Sequence, residues 1–139
     1  MSIQQKVDEI VEDFGLFEDW SDKYEYIISL GKELEPMSDA EKNEDNIVKG
    51  CQSKVWLSAD LLNDKINFKA DSDAIISKGI IALLVKVLNE EKPIDIINYD
   101  LKFIDDIGLK EHLSPNRSNG LVSMLKKMKM YAIAFDQKA

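Results

Sequence analysis

The fold is decided by residues 54–70, which read KVWLSADLLNDKINFKA. Apolar residues occupy every second position on each side of an Asn-Asp pair, at Val55, Leu57, Ala59, Ile66, Phe68 and Ala70. Alternation with a period of two is typical of a strand with one buried face, and Asn-Asp is typical of a turn. These residues therefore predict a β-hairpin that turns at Asn63-Asp64.

The residues before the hairpin predict a short third strand and a loop. Ile47-Val48 is apolar and extended in character, and it leads into a tight turn at Gly50. Cys51 follows that turn and precedes three polar residues, so we expect the thiol on a loop between two strands. Reactive side chains are often found on loops that a rigid scaffold positions.

The rest of the chain favours helices. Helical spacing of apolar residues predicts two helices near the amino end, within residues 3–14 and 20–28. A polar connection over residues 32–46 carries a turn begun by Ser38. A strongly apolar helix is predicted from about Asp73 to Leu88, with residues 71–73 as its N-cap and its position at the centre of the core.

Towards the carboxyl end, residues 95–111 lack a clean period, which indicates short helices and turns. Ser114-Pro115 then predicts the start of a last helix, whose buried face carries Leu121, Met124, Leu125, Met128 and Ala132. The sequence therefore predicts one α+β domain over residues 1–139, with a small antiparallel sheet of about three strands packed by several helices.

Composition excludes several classes of function. A net charge of −8 without a clear cluster of basic residues argues against nucleic-acid binding. The longest apolar run, residues 80–85, is too short to span a membrane, and residues 1–6 lack the apolar core of a signal peptide. A single cysteine and a single histidine argue against a disulfide, a redox pair or a structural metal. We expect a cytoplasmic protein, in a compartment where a free thiol stays reduced.

Cys51 is the first candidate for chemistry. On the residues alone two interpretations stay open, an inert buried thiol and a nucleophile, because the polar neighbours do not line a core. A thiol acts as its thiolate, and Lys49 and Lys54 flank it.

Arg117 and His112 are the other singular residues. Arg117 is the one arginine beside 17 lysines, and its planar fork of donors can hold carboxylates or carbonyls in a fixed geometry. A helix-start salt bridge is the alternative role for it. A lone histidine is more often structural than catalytic, and one Cys with one His is a weak indication of a cysteine hydrolase.

The motifs around these residues resemble the SufE family, the sulfur acceptors of iron–sulfur cluster assembly. The resemblance rests on residues 48–56, VKGCQSKVW, on residues 71–74, DSDA, on residues 78–79, KG, and on residues 112–120, HLSPNRSNG. It covers roughly residues 36–133, whereas residues 1–35 match only as amphipathic helices. The resemblance implies a fold similar to that of the cluster-scaffold proteins, with the cysteine on a loop at one end.

The same resemblance implies a function. Its partner is a cysteine desulfurase, which carries pyridoxal phosphate and leaves a persulfide on its own cysteine. Cys51 would take the terminal sulfur, stimulate the desulfurase and pass the sulfur to an iron–sulfur scaffold, with no cofactor or metal of its own. The family's thiol is sheltered in an apolar pocket that opens on docking. Residues implied in loop positioning or partner binding are Gly50, Gln52, Ser53, Asp73 and Arg117, and His112 is given no role.

Three alternatives remain beside this sulfurtransferase-like carrier. The chain could serve a different desulfurase, such as one for tRNA thiolation. It could activate the desulfurase by docking alone, without using Cys51. A self-contained cysteine hydrolase or peroxidase would instead turn over without a partner.

Overall fold

The computed structural model describes residues 2–100 and 102–138. Two helices come first, α1 (Ile3–Gly15) and α2 (Trp20–Lys32), followed by a 3-10 turn at Glu44–Asn46. The hairpin consists of β1 (Val55–Leu62) and β2 (Lys65–Ser72). The helices that follow it are α3 (Ile75–Leu88), α4 (Pro93–Asn98), α5 (Phe103–Asp106), α6 (Leu109–His112) and α7 (Pro115–Lys138). The predicted α+β class is confirmed.

The hairpin forms as predicted. β1 and β2 pair antiparallel with Leu62 opposite Lys65, so the loop is the two residues Asn63 and Asp64. Both have positive φ, 52° and 66°, which matches the right-handed twist of the strands that the loop joins. β2 packs on α3, and the inward residues Val55, Leu57 and Ile66 are fully buried.

The prediction of about three strands is corrected to two. Within the described residues the sheet has only β1 and β2, and Ile47 makes a single antiparallel bridge to Trp56. The 3-10 turn ends at Asn46 and the backbone of Gly50 turns at φ 96°, so too few extended residues remain between them for a strand. The outer edge of β2 also has a single antiparallel bridge, between Ile66 and Glu91.

The central position predicted for the apolar helix is confirmed in α3, nine of whose residues are buried. Its start is corrected, because α3 begins at Ile75 and its N-cap, Ala74, makes no side-chain capping bond. The carboxylate of Asp73 accepts the Lys54 N–H instead of capping the helix. The helices α1, α2 and α7 pack around α3, and the buried face of α7 includes Leu121, Met124, Met128 and Ala132.

No helix within residues 2–100 and 102–138 is both long enough and apolar enough to cross a membrane.

Candidate functional site

Cys51 lies on a turn between the Ile47 bridge and the start of β1. We call residues 45–54 the Cys51 arm. Gly50 directs the arm towards α7, with φ 96° and so little space beside it that a Cβ there would lie 2.5 Å from Ser123 Oγ. The positive φ therefore favours glycine at this position, and an added Cβ would also have to displace the Ser123 hydroxyl.

The thiol is half-buried against the first turns of α7. Its Sγ lies 3.6 Å from the carbonyl oxygen of Gly120, and a Cβ on Gly120 would come within 3.3 Å of the sulfur. A small cavity of about 80 Å³ adjoins Cys51 and is lined by Gln52, Ser53, Ser77, Ile80, Asn116, Arg117, Gly120 and Met124. This lining mixes polar with apolar side chains, so the shelter is less apolar than the family resemblance implies.

Burial raises the pKa of the Cys51 thiol above its ordinary value. The resting site therefore favours the protonated thiol, which is the unreactive form. Lys49 and Lys54, which flank Cys51 in the sequence, are both exposed. The resting arrangement shelters the sulfur.

The carboxyl half of the Cys51 arm is tied to the end of β2. Asp73 accepts the backbone N–H of Lys54 at 3.0 Å and donates its own N–H to the Lys54 carbonyl at 3.1 Å. The hydroxyl of Ser72 donates to the same carbonyl at 2.8 Å. The structure thus places Asp73 against the arm at Lys54, three residues after Cys51.

The predicted residues Gln52, Ser53 and Arg117 come together at the cavity. Gln52 accepts a hydrogen bond from the amide of Asn116 at 3.1 Å. The backbone N–H of Arg117 donates to Ser114 Oγ, the expected cap of α7, while its side chain borders the cavity. In the described part of the chain the guanidinium of Arg117 has no hydrogen-bond or ion-pair partner, so its donors face solvent.

His112 belongs to a different part of the surface. Its ring stacks on Trp20 with centroids 3.9 Å apart, and its Nδ1 lies 3.1 Å from the Gly108 carbonyl oxygen. It does not line the thiol cavity, so the arrangement gives Cys51 no histidine base. Over residues 2–100 and 102–138, no group of three or more His, Cys, Asp or Glu side chains is placed to hold a metal ion.

Several residues that pack on the arm from behind were not predicted from the sequence. Ser77 and Ile80 of α3 and Met124 of α7 line the cavity, and Ser123 contacts Gly50. Their helical spacing indicated buried faces but did not indicate which loop would cover them. The helical spacing of residues 116, 120 and 123 was the available signal, because it places them on one side of α7.

Comparisons with known proteins identify the family of this chain. Residues 8–132 match the SufE family, described as an Fe–S metabolism associated domain. An uncharacterized SufE-like protein of Rhizobium meliloti is 37% identical over 131 residues, which cover 91% of this chain and 94% of the relative. Another, from Synechocystis, is 41% identical over 126 residues, covering 91% of this chain and 79% of the relative.

A solved structure shares the fold. The solution structure of a hypothetical protein from Thermus thermophilus superposes with a TM-score of 0.77 at 21% identity, covering 93% of this chain and 94% of that one. The chain belongs to the SufE family of Fe–S metabolism.

Proposed function

We propose that this protein accepts sulfur on Cys51 from the persulfide of a cysteine desulfurase, stimulates that enzyme and passes the sulfur on for iron–sulfur cluster assembly. The observation that carries the proposal is the position of Cys51, a lone thiol at a small cavity on an arm that other side chains hold in place. We place the reaction in the cytoplasm, where such a thiol stays reduced.

The chemistry is an exchange at a sulfur–sulfur bond. The Cys51 thiolate attacks the terminal sulfur of the donor persulfide, a new S–S bond forms on Cys51, and the donor cysteine leaves as a thiolate. The proton lost by Cys51 balances the thiolate formed on the donor, and no external oxidant or reductant is needed. The chain has one cysteine, so no second thiol of its own can expel the sulfur by forming a disulfide.

The resting site supports protected transfer rather than turnover without a partner. Burial holds Cys51 in its protonated form by raising its pKa, so docking must both expose the sulfur and favour its ionisation. Arg117 is the cation that borders the cavity with its donors unused, and we propose that it contacts the donor or the bound sulfur. The pyridoxal phosphate of the reaction belongs to the desulfurase.

The test is a mass measurement. The protein is incubated with a desulfurase and cysteine, and its mass is then read under non-reducing conditions. We expect the gain of one sulfur atom at Cys51, and no gain in Cys51→Ser. An unchanged mass of the wild-type protein with every desulfurase tested would contradict the proposal.

The same experiment separates the alternatives. Candidate desulfurases tested side by side identify which sulfur pathway the protein serves. A docking adaptor would stimulate the desulfurase equally well as Cys51→Ser, whereas a carrier loses that stimulation. Turnover of a substrate without any desulfurase would instead indicate a self-contained enzyme.

A further inference from the structure

One stripe of α7 follows the Cys51 arm along its length. Four contacts, at 116, 120, 123 and 127, meet the arm in reverse order. Asn116 binds Gln52, Gly120 meets Cys51, Ser123 meets Gly50, and Lys127 binds the backbone near Ile47. Spacings of four, three and four residues keep these positions on one face of a helix.

Lys127 is the charged member of this stripe. Its ammonium donates to the carbonyl oxygen of Ile47 at 2.9 Å and lies 3.3 Å from that of Asp45. The next residue along the arm, Val48, donates its N–H to the Val55 carbonyl at 2.7 Å. Lys127 therefore holds the amino end of the arm, beside its pairing with β1 and four residues before Cys51.

The environment of Lys127 allows this contact to open. The side chain borders an open groove of about 550 Å³ between the arm and α7, so its ammonium can exchange the two carbonyls for water without disturbing the core. Burial lowers the pKa of Lys127, the charge of Asp45 opposes that shift and the charge of Lys49 adds to it. The charged side chain is thus held partly away from water by hydrogen bonds that solvent can replace.

We propose that Lys127 is a positioning residue that holds the Cys51 arm in its sheltered position, and that its release from the carbonyls of Ile47 and Asp45 is a step in exposing Cys51 to the sulfur donor. This inference rests on the proposed function, because exposure matters when another protein's persulfide must reach the sulfur. Lys127 acts through the backbone of the arm and does not contact the thiol.

The test measures how fast iodoacetamide alkylates Cys51 in the free protein at a fixed pH. We expect Lys127→Met to react about tenfold faster, because hydrogen bonds from a charged donor are lost and the arm opens more often. Lys127→Arg retains donors for both carbonyls and should return the rate towards that of the wild type. Lys126→Met removes the neighbouring exposed charge and is the matched control, which should leave the rate unchanged.

The inference is overturned if Lys127→Met reacts within twofold of the wild type, if Lys126→Met accelerates alkylation equally, or if Lys127→Arg is as fast as Lys127→Met. Urea unfolding of the same samples shows that each variant is folded. If Lys127→Met does not fold, Lys127→Gln replaces it, since its side chain is polar but is one bond shorter and carries no charge. The persulfide measurement is made in parallel. Normal persulfide formation with unchanged alkylation contradicts this inference alone, while absent persulfide in the wild type contradicts the proposed function and leaves the alkylation result to decide the role of Lys127.

Discussion

The connection between α2 and β1 has two halves that are held in different ways. The first half, residues 33–44, is fixed on Asp71, a carboxylate that is only 4% exposed. Asp71 accepts the N–H of Met37 and forms ion pairs with Lys42 at 3.3 Å and Lys78 at 3.4 Å. The second half is the Cys51 arm, which is attached by hydrogen bonds to Asp73, Ser72 and Lys127 and by contacts of its turn with α7.

We call residues 33–44, which Asp71 holds, the frame, and the Cys51 arm is the part of the connection that can move. A buried carboxylate with several partners is costly to disturb, because removing it leaves other charges and donors without partners. The side-chain hydrogen bonds that hold the arm at Asp45, Gln52 and Lys54 are exposed, and water can replace them. Local opening free energies vary in this way across a structure, and binding segments are drawn from the weaker end.

The largest effect is expected at the frame. Asp71→Asn should lower the free energy of unfolding by about 2 kcal/mol, because hydrogen bonds from charged donors are lost while Lys42 and Lys78 stay partly solvated. Urea denaturation measures the change, and Asp136→Asn on the exposed side of α7 is the control. A loss no larger than that of the control would mean that the two halves are held equally loosely.

The contribution of Asp71 should depend on pH in one direction. Burial acts to raise the pKa of this carboxyl, but hydrogen bonds from Ser72, Lys42 and Met37 and the charge of Lys78 outweigh it, so the pKa is lowered. The stabilisation is therefore complete above the unfolded value of about 3.9 and is lost as the pH falls through the lowered folded value. The difference in unfolding free energy between wild type and Asp71→Asn should be constant near neutral pH and shrink below about pH 4. A difference that persists unchanged at about pH 3 would contradict this assignment.

A smaller effect is expected at the carboxyl end of the arm. Asp73→Ala removes the acceptor of the Lys54 N–H and should cost about 1 kcal/mol of unfolding free energy. It should also speed alkylation of Cys51, because the arm loses one attachment. Asp73→Asn retains an acceptor oxygen and should behave more like the wild type. Equal effects of both changes would show that the hydrogen bond does not hold the arm.

A still smaller stability effect is expected at Gly120. An added Cβ would lie 3.3 Å from the sulfur and crowd the thiol, which destabilises the folded protein. In the interior of a helix, alanine is more stabilising than glycine by up to about 1 kcal/mol, and this opposes the crowding. Gly120→Ala should therefore change the unfolding free energy by less than about 1 kcal/mol and yet speed alkylation a few-fold. Gly15→Ala has open space around its Cβ and is the control. Unchanged alkylation would show that the sulfur has room to adjust.

The smallest stability effect is expected at Arg117. Because its guanidinium is exposed, Arg117→Ala should alter the unfolding free energy by less than about 0.5 kcal/mol. If it contacts the donor, the concentration of this protein that gives half-maximal desulfurase stimulation should rise several-fold. Arg117→Lys keeps the charge but not the planar fork, so it tests whether geometry matters. Stimulation that is unchanged in both variants would remove Arg117 from the docking face.

The regular elements were predictable because their signals are local. The alternation around Asn63-Asp64 determined the hairpin, and helical spacing with Ser114-Pro115 determined α7. The third strand was over-predicted, because two apolar residues carry no information about the turn that ends them. The start of α3 was misplaced because the sequence does not show that Asp73 has another partner. Its carboxylate accepts the N–H of Lys54, which is distant in sequence, and does not cap the helix.

The site was predictable where its residues are close in sequence or singular. Cys51 with its polar neighbours and the lone Arg117 could be chosen from the chain itself. Lys127 could not, because it is one lysine in a polar run and its role depends on which backbone carbonyls a distant segment presents. The mixed lining of the cavity also depends on tertiary packing of α3 against α7.

The stripe on α7 has a consequence for how this helix can vary in length. Each residue turns a helix by about 100°, so one residue inserted between Gly120 and Lys127 would direct the ammonium away from the Ile47 carbonyl. Tyr131, one turn further on, places its hydroxyl 3.3 Å from the carbonyl oxygen of Leu57 in β1 and would lose that position as well. Insertion or deletion of a single residue between Asn116 and Tyr131 is therefore incompatible with this site, because the angular phase of a single helix determines where the sulfur rests.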